Sequence, residues 1–546
     1  MHVDRYRGAA MNREEAVPMQ PSGHIDGFAR AMLPPRPQWP ELVFDLPSLQ
    51  YPARFNCAAT LLDTALAAGW GARTALVGEG EHWTYGALFA RVDRIAHVLA
   101  NELPLVTGSR VLVHGPNCLT TAACILAVIK AGMIAVPTMP LLRARELGAI
   151  VARARVDAVL CADALQPEFA GMPACPPVLC FDAGLAGAMA RYDAPFNAPD
   201  TAADDICLIS FTSGTTGVPK GTMHFHRDVL AICDCFPVHL LDARRDDIFI
   251  GTPPLAFTFG LGGLLLFPLR VGACAVLLDK PSPEALLAAI GHYRATVCFT
   301  APTFYRQMTA LAPGADLSSL TRCVSAGETL PVATRAAWLM ATGIDLIDGI
   351  GATEMLHIFI SAAGADVRPG ATGKPIPGYR ACILDDDGVV VGPGVVGRLA
   401  VKGPTGCRYL DDARQAEYVW DGWNITGDAF EMDADGYFHY RARLDDMIVS
   451  AGYNIAGVEV EEVLLRHPAV RECAVVGRAD AQRGQIVEAH VVLWNEASAG
   501  EEMVLALQAF VREQIAPYKY PRAIIFASQL PRTETGKLQR FKLRRH

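Results

Sequence analysis

The sequence has no excess of positive charge. Its 48 lysines and arginines are outnumbered by 57 aspartates and glutamates, for a formal net charge of −9. Such a chain has little with which to neutralise a phosphate backbone, so DNA and RNA are excluded as default partners. Charge of either sign is sparse, at 19% of residues against 51% apolar, which excludes global disorder and permits large buried cores. The fifteen cysteines include no C-x-x-C pair. A chain of this length needs no disulfide staples, and reduced thiols are expected. The first residues offer Asp4, Arg5, Arg7, Arg13, Glu14 and Glu15 rather than an apolar stretch, so no secretion signal is expected and a cytoplasmic location is. The longest uncharged run, Ile248–Leu269, is interrupted by Gly251, Pro253, Pro254, Gly260, Gly262 and Gly263. It reads as a buried strand–loop–helix passage, not a membrane span. There is no internal repeat and no low-complexity tract.

What is present alternates. Arg110–His114, Ile206–Phe211, Ala275–Leu278 and Thr296–Thr300 read as strands, and Thr120–Ala131, Pro283–Tyr293 and Ala186–Ala190 as helices. This alternation predicts an α/β fold with layered, parallel-rich sheets. From about residue 380, Gly388, Gly392, Gly394 and Gly397 punctuate short strands, the texture of a small β-rich subdomain. After Arg443–Asp446 a separate α+β unit is expected. It has helices at Val458–Arg466 and Glu501–Ile515 and strands at Glu472–Val476 and Glu488–Trp494. The expected organisation is an N-terminal arm over 1–45 and a large domain over 46–442 with its β-rich part at about 380–442. A hinge at 443–446 and a small mobile C-terminal domain at 447–546 complete it. The basic tail Arg540–His546 reads as mobile.

The densest motif is Thr212-Ser213-Gly214-Thr215-Thr216-Gly217-Val218-Pro219-Lys220-Gly221, directly after the apolar run ICLISF. Small hydroxyl residues and glycines let backbone N–H groups approach a polyphosphate, and Lys220 supplies a mobile positive charge. A flexible linker would have no need of Pro-Lys-Gly behind a buried strand. A Walker A loop needs Gly before its Lys, and here Pro219 stands there.

This loop resembles the phosphate loop of the adenylate-forming enzymes, which include acyl-CoA synthetases, firefly-type luciferases and peptide-synthetase adenylation domains. Further motifs follow in the family's order, so the resemblance covers roughly residues 50–546. In SAGETL, Gly327 and Glu328 are similar to the strand end bordering adenine. DGIGATE, from Asp348, Gly349 and Ile350 to Thr353 and Glu354, resembles the loop whose Glu354 would hold Mg²⁺, a hard cation suited to carboxylate oxygen. WNITGD resembles the segment whose Asp428 grips the ribose hydroxyls. In YRARLDD, Arg443 would lie near ribose and phosphate and Asp445 would be the hinge pivot. PRTETGKLQR resembles the loop carrying the catalytic lysine, Lys537. Read singly, Glu354 could be a surface carboxylate, Asp428 a turn residue and Lys537 a solvated one; their joint order favours the family.

The resemblance implies a two-step reaction. A carboxylate attacks the α-phosphate of ATP, giving an acyl-adenylate and pyrophosphate; a thiol such as that of coenzyme A then displaces AMP. It also implies that the small domain swings between the steps. In FTFG, Thr258 stands where amino-acid-activating relatives carry Asp, so an α-amino acid substrate is not expected. Within the family, DGIGATEMLHIFIS looks most like benzoate-CoA ligases and their 2-aminobenzoate relatives. Phe257, Ala301, Gly351 and His357 would then line a pocket for a small aromatic acid, although without the resemblance a lone His357 reads rather as a buried structural histidine. Two departures stand out. Ile350 replaces an aromatic residue that would stack on adenine, and the loop IVSAGYNI has Val449 and Ala451 where relatives have lysines. Pantetheine would pass Gly452 and Tyr453 without that electrostatic help. A carrier protein as acceptor and a non-catalytic nucleotide-binding protein remain alternatives. A homodimer is compatible with the resemblance; no nucleic acid or membrane partner is expected. The pair His224 and His226 ahead of Cys233 and Cys235 fits no usual zinc spacing and reads as the start of a helix.

Overall fold

The computed structural model describes residues 19–78, 80–212, 219–450, 453–480, 483–496, 499–515, 517–532 and 538–544. Four sheets organise these residues. The first runs Val178–Cys180, Ala158–Cys161, Arg110–His114, Ile134–Thr138, Ile206–Thr212, Lys220–Phe225. It is parallel except for the last pair, which is antiparallel with Thr212 opposite Lys220. The second has nine strands. Its interior, Leu346–Gly351, Arg322–Ser325, Val297–Thr300, Ile248–Gly251, Cys274–Val276 and Thr74–Gly78, is parallel throughout, and antiparallel strands close both edges. The layered α/β expectation therefore holds.

Helices separate the two sheets. Leu119–Lys130 is buried on every side except at Thr120. It touches Arg110–His114 and Ile134–Thr138 of one sheet and Thr74–Gly78 of the other. A helix in such a sandwich must be apolar all round. Its one charge, Lys130, is matched by Asp93 at 2.5 Å and lies over the Phe89 ring. The Ile248–Leu269 run is indeed a buried passage: a strand at Ile248–Gly251, then helical turns at Thr258–Leu261, Gly262–Leu266 and Phe267–Val271. Among the described residues, no helix is long and apolar enough to cross a membrane.

The third sheet is antiparallel and carries Arg380–Leu384, Val396–Lys402, Trp423–Met432 and Phe438–Arg443. The fourth is built on the long pair Val470–Asp480 and Gly484–Leu493, covered by helices Gly457–Leu464 and Glu501–Gln514 around Val460, Leu464, Val475, Leu507 and Val511. One expectation needs correction. Arg540 is not a mobile tail residue: its guanidinium forms three hydrogen bonds to Glu461, at 2.8, 3.0 and 3.3 Å, and Arg544 pairs with Asp446. Carboxylates on the adjoining elements hold the basic residues down.

Candidate active site

In parallel sheets, ligands collect beyond the carboxyl ends of the strands. Four neighbouring strands of the nine-stranded sheet deliver the expected residues there. After Ile248–Gly251 comes Phe257, half-buried at the start of the turn Thr258–Leu261. After Val297–Thr300 comes Ala301, the cap of helix Pro302–Thr309. After Arg322–Ser325 come Gly327, whose φ of +89° suits glycine, and Glu328. Leu346–Gly351 itself carries Asp348, Gly349 and Ile350 and ends in the tight turn Thr353–Met355.

Lys220 and Glu354 meet. Lys220 opens the strand Lys220–Phe225, and its Nζ stands 3.4 Å from Glu354 Oε1. Both also hold a residue that the sequence did not single out, Tyr409. Its hydroxyl accepts from Lys220 at 2.9 Å and donates to Glu354 Oε1. Burial, then the Glu354 charge, hold that hydroxyl far above its ordinary pKa, so it stays a donor. Tyr409 arrives there by strand-like pairing: Met223 N–H donates to the Arg408 carbonyl and Leu410 N–H to that of Gly221. Beneath it, Arg408 and Asp228 form an ion pair with no solvent exposure. Glu354 is 7% exposed, a carboxylate at the rim of the core. The Thr212 hydroxyl is buried without a hydrogen-bond partner among the described residues.

A cleft of about 290 Å³ joins the rest. One wall is Gly327, Glu328 and Asp348–Gly351; the other is Asp428 and Arg443. Asp428 and Arg443 face each other across two strands, with Arg443 Nη1 donating to Asp428 Oδ1 at 3.0 Å. Gly427, at φ +77°, lets the guanidinium lie close, since a Cβ there would sit 3.0 Å from Nη2. Burial pushes the Asp348 carboxyl up to about 7, with Arg335 partly opposing. Arg532, Leu538 and Arg540 line the same cleft from the C-terminal side.

His357 lies behind this wall, 2% exposed. It is reached through Leu356, which takes the left-handed conformation at φ +68°. Its ring is surrounded by Phe267, Phe236, Phe259 and Phe299, with centroids 4.5, 5.4, 5.8 and 6.4 Å away. Gly262 makes room for it: a Cβ there would lie 2.5 Å from the imidazole. Burial pushes His357 down to about 3, only partly opposed by the Phe259 backbone, so the ring is neutral. The Gly351 backbone, which lines the cleft, abuts the His357 carbonyl.

Some expected residues lie outside the described ones: Ser213, Gly214, Thr215, Thr216, Gly217, Gly452 and Lys537. Asp445 is in the turn Leu444–Asp446, and Tyr453 begins the strand Tyr453–Ile455. His226 opens helix His226–His239 as expected, and Cys233 and Cys235 are buried in it. His226 instead meets Cys57 and Cys207, but its Nδ1 already accepts the Cys57 backbone N–H at 3.1 Å. Tyr409 and Arg408 carried no sequence signal of their own. Each acts through a partner some 180 residues or more away in sequence.

The AMP-binding enzyme family matches residues 64–408, and the AMP-binding enzyme C-terminal domain matches residues 459–537. The chain is 36% identical over 512 residues to the benzoate–CoA ligase of Thauera aromatica, covering 91% of this chain and 97% of that one. Among solved structures it is similar to the anthranilate CoA ligase AuaEII in complex with anthranoyl-AMP, at a TM-score of 0.87 and 33% identity, covering 91% of this chain and 98% of that one. It is also similar to a benzoate CoA ligase from Burkholderia xenovorans LB400, at a TM-score of 0.83 and 32% identity, covering 90% and 100%. Motifs, fold and both matched segments agree: this chain belongs to the AMP-binding enzyme family, as an AMP-forming ligase.

Proposed function

We propose that the protein joins a small aromatic acid, 2-aminobenzoate or benzoate, to coenzyme A through an aryl-adenylate. The acid's carboxylate oxygen attacks the α-phosphorus of ATP and pyrophosphate leaves; the CoA thiol then attacks the acyl carbonyl and AMP leaves. The observation that carries the aromatic reading is the phenylalanine cage around the neutral His357, whose backbone carbonyl abuts the cleft wall at Gly351. A flat ring suits such a wall, and an uncharged imidazole does not compete for the carboxylate that must react. The absence of an acidic group at Thr258 supports the same choice. The likeness to enzymes named for benzoate and anthranilate supports it too.

In this reading Thr212–Gly217 and Lys220 hold the phosphates, Gly327, Glu328 and Asp348–Ile350 border adenine, and Asp428 and Arg443 hold the ribose. Glu354, beside Thr353, offers the carboxylate oxygen that fits Mg²⁺, which when bound offsets phosphate charge. Tyr409 keeps Glu354 and Lys220 in place by a hydrogen bond to each. Phe257 and Ala301 border the acid; Gly452 and Tyr453 border the CoA arm, and Asp445 pivots the C-terminal unit.

The test is product analysis with ATP, Mg²⁺ and CoA against benzoate, 2-aminobenzoate, hydroxybenzoates, cinnamates and octanoate. Benzoyl-CoA or 2-aminobenzoyl-CoA formed with AMP is the expected result. Aryl-AMP without thioester would point to a carrier-protein acceptor, the reading favoured by Val449 and Ala451. No ATP consumption with any aromatic acid would overturn both.

Asp348 gives a pH signature. Adenine's amino group donates a hydrogen bond, so it prefers the carboxylate to the acid. KM for ATP is expected to fall as pH rises through about 7, by a few-fold more than in Asp348→Asn. The same raised pKa makes a stability contribution that is present below the unfolded value and lost as pH rises through about 7. The ligand-free Asn variant should therefore gain thermal stability at pH 8 relative to wild type, and gain less at pH 5. Parallel KM profiles in the two proteins would remove Asp348 from the adenine site.

A further inference from the structure

The C-terminal unit meets the large one through a row of alternating charges. Arg306, on helix Pro302–Thr309, faces Glu472 of strand Val470–Asp480 at 3.5 Å. Glu472 also accepts from Arg532 at 2.9 Å. Arg532 in turn stands 3.7 Å from Glu328. Glu328 is fixed from behind by Thr303, whose hydroxyl donates to it at 2.6 Å. The side chains are 20–30% exposed, so each pair alone would add little to folding stability. Their arrangement matters more than their sum. Arg306 and Glu328 belong to one unit, Glu472 and Arg532 to the other, so the attraction acts on the orientation of one unit against the other.

The position of Arg532 gives that orientation a consequence. It pairs as an isolated bridge with Leu538, so the two residues form the base of the segment that contains Lys537. Both line the cleft with Gly349 and Asp428. The row therefore ties the base of the lysine segment to the adenine-side wall. Glu328 sits at the end of that tie, within the wall itself.

We propose that Arg306, Glu472, Arg532 and Glu328 form an orientation latch that sets the C-terminal unit for adenylate formation and must open before the thiol step. Arg306 and Glu472 are positioning residues: they act on the reaction through the placement of the Arg532–Leu538 base. The inference rests on the two-step ligase reading. Charge-reversed and neutral variants should separate the half-reactions, because only one of them needs the latched orientation. A merely structural role would lower both together.

The experiment measures two rates in the full chain. One is aryl-acid-dependent exchange of pyrophosphate into ATP; the other is thioester formation from synthetic benzoyl-AMP and CoA without ATP. Arg306→Glu is expected to lower exchange at least about fivefold, while its thioester rate stays within about twofold of wild type or rises. Retained thioester formation also shows that the variant is folded. Arg306→Gln and Glu472→Gln should each lower exchange, and their combination should lower it no further than Glu472→Gln alone, because loss of Glu472 already removes the partner of Arg306. Equal losses in both half-reactions, or unchanged exchange in Arg306→Glu, would overturn the latch. Absence of both activities in the wild type would instead overturn the ligase reading.

Discussion

Lys537→Ala is expected to lower aryl-adenylate formation by roughly 10²–10³-fold, the usual cost of removing one preorganised donor to developing charge. The first step is the one that needs it. An anionic carboxylate must approach a polyanionic triphosphate, and the charge moved onto the leaving pyrophosphate must be met by a cation. Lys220 is already engaged with Tyr409 and Glu354 on one side of the site. The base of the Lys537 segment, at Arg532 and Leu538, lines the cleft that also holds Asp428 and Arg443. Nucleotide binding should survive, since Asp428, Arg443 and Lys220 are untouched. Thioester formation from preformed benzoyl-AMP should also survive, because the second step has a neutral thioester product and no triphosphate. Pyrophosphate exchange, nucleotide titration and single-turnover thioester formation distinguish these cases. Exchange within tenfold of wild type would remove Lys537 from the chemistry.

The elements that were legible in the sequence share a physical reason. Pro283–Tyr293 has its N-cap serine, Ser282, and a proline at its first turn, and the structure reproduces it residue for residue. Arg110–His114 is an uninterrupted buried run in a parallel sheet, which needs no alternation to be recognised. The strand expected at Glu472–Val476 extends over Val470–Asp480, because its polar second half is held by cross-strand pairing rather than burial. Motif residues such as Asp428 and Arg443 were readable because they lie within short sequence words. Their pairing is a matter of strand register, Asp428 opposite Arg443. Tyr409 was not readable. Its neighbours Arg408, Asp411 and Asp412 break any hydrophobic period. Its place beside Lys220 comes from main-chain pairing between the segments around Gly221–Met223 and Arg408–Leu410. The interdomain row of Arg306, Glu472, Arg532 and Glu328 was silent for the same reason: ordinary surface charges become a device only when two units bring them together.

Arg408→Met is expected to destabilise the protein by about 3–5 kcal/mol, the range for breaking a fully buried ion pair from one side. Neither Arg408 nor Asp228 touches solvent. Burial raises the Asp228 carboxyl despite the adjacent guanidinium, and lowers Arg408 despite the adjacent carboxylate. The pair therefore repays its desolvation only in part. One Asp228 oxygen and one Arg408 nitrogen also lack hydrogen-bond partners among the described residues. Removing the arginine leaves Asp228 with the Phe225 N–H, at 2.9 Å, and the charge of Arg227 but no ion-paired cation. Its pKa then rises further, and a carboxyl with a raised folded pKa costs stability as pH climbs toward and through that value. The deficit of Arg408→Met should consequently be largest above neutrality and shrink toward pH 5, where Asp228 can take up a proton. Asp228→Asn added to Arg408→Met should recover more than half of the loss, because the amide oxygen still accepts from Phe225 and no charge remains buried. Thermal unfolding at both pH values measures this directly. A single variant as stable as wild type would mean that water or a shifted side chain reaches Asp228. The same measurement bears on the site, because Arg408 is the residue before Tyr409: a loosened segment there should raise KM for ATP before it lowers the affinity for the aromatic acid.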